Sequence, residues 1–133
     1  MKLCMTAVLI LASVTSIAFA QQDWYHDRDA RYASDQWRSQ LFSYVSQDLD
    51  HVWSRGASEK ENARLNRTKE ELTKMQADLD NGRFDNGLLN DVIDSLRKSA
   101  NDHKLSPRDR DLLNDDVNRL HDYQRNHNHW THR

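Results

Sequence analysis

The chain has 133 residues, 37% hydrophobic and 30% charged, with three glycines, one proline and a formal net charge of −2. So few glycines and prolines exclude an all-β fold with many tight turns, and the acidic balance excludes a basic field for nucleic acid or an anionic membrane. The single cysteine, Cys4, lies at the very start, which excludes a disulfide, a thiolate metal site and a cysteine nucleophile from the remainder.

Residues 1–20 read as a cleaved signal peptide. Lys2 supplies the positive start, Leu3 to Ala18 an apolar run, and Ala18-Phe19-Ala20 the small-x-small cleavage pattern before polar Gln21-Gln22. The expectation is a periplasmic or secreted protein with no membrane attachment once the signal is removed. The 113 residues from Gln21 carry 18 Lys/Arg against 21 Asp/Glu, a net charge of −3, and fit one domain with a modest core.

Residues 21–33 hold Trp24, Tyr25 and Tyr32 among aspartates and arginines with no dominant period, so a mobile polar-aromatic arm or a frayed helix start is expected. From Ser34 to Trp53 the period is helical. Trp37, Leu41, Val45, Leu49 and Val52 recur every three or four residues, and Phe42 and Trp53 widen the stripe. Bulky aromatics bury large areas, so this helix is expected to anchor the core. Arg55-Gly56-Ala57 breaks it, and Ser58-Glu59-Lys60-Glu61 has the form of a capping box for a second helix. That helix carries Leu65, Thr68, Leu72, Met75 and Leu79 in a narrow coiled-coil-like seam, which suits an intramolecular contact or self-association.

Asn81-Gly82 ends the second helix and Asp85 caps a third, whose broad face is Leu88, Leu89, Val92, Ile93, Leu96 and Ala100. After a loop at Asn101 to Lys104, Ser106-Pro107 opens a fourth with Asp109 in its first turn and Leu112, Leu113, Val117, Leu120 and Tyr123 on its apolar face. Residues 88–96 and 112–120 repeat one phrase, with Asp116 standing where the first copy has Val92. The fold expected is an all-α bundle of three or four helices over residues 34–125, ending in a helical hairpin, followed by a flexible His-rich tail at 126–133. The hairpin loops lack oxygen ligands at the positions an EF-hand needs.

Three functional expectations follow. The first is a non-catalytic interaction module, chaperone-like or structural, binding a protein partner through the Trp24, Tyr25 and Tyr32 arm or part of the aromatic helix. Size, export signal and amphipathic helices are loosely similar to small periplasmic helical chaperones and stress proteins. The second is weak transition-metal binding or buffering by His127, His129 and His132, since clustered imidazoles chelate zinc, copper or nickel. The third is an enzyme using Asp48 and Asp116, two acids at apolar positions of their helical wheels, for which Arg38 is a candidate ion-pair partner. The bland reading of those three is a structural salt bridge. No nucleophile elbow, phosphate-binding glycine loop or metalloprotease pair is present, so no catalytic residue and no cofactor are assigned.

Overall fold

The computed structural model describes residues 24–53 and 59–130, of which 128–130 are described in backbone only. The signal segment, the Arg55-Gly56-Ala57 break, the Ser58 cap and His132 lie outside the described residues. The chain is all-α, and no strand occurs among the described residues. No helix described is long and apolar enough to cross a membrane. Two compact units divide after Trp37, whereas the sequence pattern divides arm from bundle after Ala33.

In the first unit, residues 24–33 form a helix, α1, where a mobile arm or a frayed helix start is expected. Its order comes from a spacing that hydrophobic periodicity does not register, that of cations with rings. Arg28 lies 4.6 Å from the Tyr32 ring centroid one turn on, and Arg31 lies 6.0 Å from that of Trp24 two turns back. Trp24 and Tyr25 meet edge to face at 5.2 Å. Ser34 interrupts the helix. Its hydroxyl accepts the Gln36 N–H at 3.2 Å and its carbonyl the Trp37 N–H at 3.3 Å, which starts the 3₁₀ turn Asp35–Gln40. The expected single helix from Ser34 to Trp53 is therefore a 3₁₀ turn followed by an α-helix.

The second unit is a four-helix ring of α2 (Leu41–Trp53), α3 (Glu59–Asp80), α4 (Asn86–Ala100) and α5 (Pro107–Trp130). Each helix packs on the next, and α5 closes on α2. Consecutive helices are antiparallel. Ser43 meets Gln76 while Asp50 meets Lys69, Thr68 meets Ser95, and Asn90 meets Gln124 while Arg97 meets His121. At the junction of the 3₁₀ turn with α2, the Gln76 amide accepts the Ser43 N–H at 3.2 Å and donates to the Ser39 carbonyl at 2.8 Å. One side chain thus serves two backbone groups where the ladder changes pitch.

The predicted apolar faces form the core. Leu41, Phe42, Val45, Leu72, Leu89, Val92, Leu96, Leu113 and Leu120 are each 0% exposed, and burying such a side chain contributes about 1.5–3 kcal/mol. The α3 seam is buried at Thr68, Leu72 and Met75 and half-buried at its ends, Leu65 and Leu79. Its middle positions are buried between α2 and α4.

The turns follow local chemistry. Gly82 takes φ 70° past the end of α3, with Gly82 N–H donating to Leu79 O and Arg83 N–H to Asp78 O, the paired bonds of a Schellman motif. Asp85 accepts the Leu88 N–H at 3.0 Å, and Ser106 accepts the Asp109 N–H at 3.2 Å ahead of α5. α5 kinks at Asn126 (φ −123°, ψ 15°), whose amide donates to Asp122 at 2.8 Å. Helical backbone resumes to Trp130, so the expected flexible tail is helical over residues 127–130.

Candidate functional site

The two acids read from the wheels are both 0% exposed. Asp48 on α2 and Asp116 on α5 also share a height. Phe42 and Tyr123 rings meet at 5.1 Å across the same pair of helices. Asp48 lies six residues beyond Phe42 and Asp116 seven before Tyr123, about 9 and 10 Å along antiparallel axes. Both acids engage in polar interactions, as does half-buried Arg38. Neither carboxylate lines the α3–α4 groove described below. Full burial on facing helices suits a structural role for both acids.

The histidines are placed unevenly. His127 stacks face to face on Phe84, centroids 3.8 Å apart and planes 5° apart, with Nδ1 3.3 Å from the Gln124 carbonyl. Phe84 and Phe42 both contact Tyr123, so these four rings close one end of the bundle. Burial and then the charge of Asp78 push the Tyr123 phenol above its ordinary value. His121 Nε2 lies 2.7 Å from the Arg97 guanidinium. The side chain of His129 and all of His132 lie outside the described residues. Among the described residues, no three His, Asp or Glu side chains gather where they would hold a metal ion.

The aromatic candidates separate by exposure. Tyr32 is 6% exposed and Trp37, Phe42 and Trp53 are buried, so none of these offers a broad surface. Trp24 and Tyr25 are half-buried, and Arg31 lies toward the Trp24 ring. Phe84 is the exposed large hydrophobic among the described residues, at 37%.

A further feature is invisible to helix-by-helix reading. Between α3 and α4 runs a polar groove of about 350 Å³ lined by Arg64, Arg67, Thr68, Glu71, Asp91, Asp94, Ser95 and Lys98. On its floor Thr68 Oγ1 donates to the Arg64 carbonyl at 2.9 Å, so the Ser95 hydroxyl donates to Thr68 Oγ1 at 2.6 Å. Burial and the facing Asp91 raise the Glu71 carboxyl above its ordinary value, while Arg67, 4.0 Å away, pulls it back. Apart from Thr68, which belongs to the α3 seam, each of these residues reads alone as part of a solvated face, and only the pairing of α3 with α4 brings them together.

The chain matches no protein-family model, no curated protein and no solved structure.

Proposed function

We propose that the chain is a non-catalytic interaction module, exported by its leader, that engages a protein partner through α1. The observation that carries this reading is the half-buried edge-to-face pair Trp24–Tyr25 with Arg31 beside Trp24 on one ten-residue helix. Trp, Tyr and Arg are the residues that dominate binding energy at protein interfaces, because each buries a large area while keeping a polar handle. The bundle's larger rings support the reading by elimination. Phe42 and Trp53 of α2 and Tyr123 of α5 are spent on the core, which leaves half-buried Tyr44 as the aromatic that α2 offers.

The test is a chaperone-type assay on the chain from Gln21. Aggregation of a chemically unfolded enzyme is followed by light scattering with the unaltered chain and with Trp24→Ala/Tyr25→Ala. The unaltered chain is expected to suppress scattering, and the double variant to lose most of that effect while keeping its helical circular dichroism. Absence of suppression by the unaltered chain, or equal suppression by both, refutes the reading.

A further inference from the structure

The α3–α4 groove breaks a rule that the same bundle obeys elsewhere. Across α2 and α3, Lys69 meets Asp50 at 2.6 Å, and Lys104 of the α4–α5 loop meets Glu61 of α3 at 3.4 Å. Opposite charges face each other at both places. At the two ends of the groove the signs match across the helices instead, although Glu71 also lies 4.0 Å from Arg67 on its own helix. The Thr68–Ser95 contact fixes the register of the two antiparallel helices. Arg64 lies four residues before Thr68 and Lys98 three after Ser95, so both reach the same end. Glu71, three after Thr68, and Asp91, four before Ser95, share the other end, where the acids act on each other. Like charges at facing positions oppose helix packing. Places where a sequence departs from its own local rules are where function is to be sought.

The two like-charged ends lie about 10 Å apart along the axes, at 1.5 Å per residue. A ligand that relieves both must carry a cation and an anion at that separation. An extended peptide of three residues spans about 10 Å, while two residues reach about 7 Å and four about 14 Å. Between the ends, Arg67 offsets part of the Glu71 charge from 4.0 Å and the hydroxyl pair lines the floor, an environment suited to peptide amides rather than apolar groups. The volume of about 350 Å³ sits at the small end of ligand-site sizes.

We propose that this groove binds a short zwitterionic peptide of about three residues, its ammonium between Glu71 and Asp91 and its carboxylate between Arg64 and Lys98. This site is independent of the α1 surface and of any protein partner held there. The raised Glu71 carboxyl adds a pH dependence, since a carboxylate that protonates more readily surrenders its hold on an ammonium as the solution is acidified.

The test is calorimetric titration of the full chain with trialanine, N-acetyl-trialanine, trialanine amide and dialanine. Trialanine is expected to bind, and each capped form and the shorter peptide to bind at least about tenfold more weakly, the loss of one charge contact. In Glu71→Gln/Asp91→Asn the acetyl cap should no longer matter, and in Arg64→Gln/Lys98→Gln the amide cap should no longer matter. The four substituted side chains are exposed or half-exposed, and the cap comparison on the unaltered chain needs no variant. Absence of trialanine binding at about 10 mM, below the weakest useful affinity, overturns the proposal. Equal binding of free and capped peptides, or unchanged discrimination in the variants, does the same.

Discussion

Removing one oxygen atom, by Tyr123→Phe, should alter how the bundle responds to alkali. Tyr123 is 1% exposed, its ring meets Phe42 at 5.1 Å and Phe84 at 5.8 Å, and its phenol is raised above 10.0 first by burial and then by Asp78. A raised folded-state value means that the folded protein holds this proton after the unfolded chain has lost it. The associated stability is fully present below about pH 10 and is lost as pH climbs through the folded value. While the folded phenol remains protonated, each pH unit above the unfolded value removes about 1.4 kcal/mol. With a urea m-value near 1–2 kcal/mol per M for a domain of this size, the midpoint should fall by up to roughly 1 M for each pH unit over which the folded phenol keeps a proton that the unfolded one has lost. Tyr123→Phe keeps the ring contacts and abolishes that component, at a cost near about 1 kcal/mol at neutral pH. Lysine deprotonation in the same range affects both proteins alike and cancels in the difference. The assay is urea unfolding followed by circular dichroism at paired pH values. If the two proteins lose stability with the same slope above about pH 10, the burial of this phenol is not what the ring geometry implies.

Other perturbations test separate parts of the fold. Leu89→Ala and Leu113→Ala, matched positions of the repeat and both 0% exposed, should each cost about 2–5 kcal/mol in denaturant unfolding, and a cost under about 1 kcal/mol at either would deny it a place in the core. Gln76→Ala removes the bridge between Ser39 and Ser43. It should cost about 1 kcal/mol and raise amide exchange at Ser43 ahead of the rest of α2, whereas unchanged exchange there would show that the bridge is dispensable. Glu71→Gln should stabilise the protein at pH 7 and lose that advantage on acidification, because a carboxyl raised in the folded state favours folding below its unfolded value and opposes it above the folded one. Melting curves at two pH values decide this, and an equal shift at both would contradict the role of burial and Asp91.

What the sequence reveals here is what a single helix can state about itself. The stripe Leu41, Val45, Leu49, Val52 reports its own burial through its period, and Asp85, Ser106 and Gly82 act on neighbours within a few residues. The wheel also places Asp48 and Asp116 inward, since angle on a helix is a local property. Height is not. That these two acids lie level follows only from the pairing of α2 with α5, and the same holds for Arg64 with Lys98 and Glu71 with Asp91. α1 escaped for another reason. Its order rests on arginines lying against rings, so a search for apolar spacing finds no signal in Trp24, Arg28, Arg31 and Tyr32. The 3₁₀ character of Asp35–Gln40 is hidden because Trp37 keeps its inward position in a 3₁₀ turn as well as in an α-helix.

The contact of Phe42 with Tyr123 has a mechanical consequence. It sets the entry of the ring and the end of its last regular helical stretch side by side, at one pole of the bundle. A load applied through Arg38 and Arg125 would therefore act at adjacent points and open the α2–α5 seam one side-chain layer at a time. Bonds that break in succession resist far less force than the same bonds sheared together. Pulled in this way, the four helices would come apart like a zip, yielding at low tension although the core they share is fully packed.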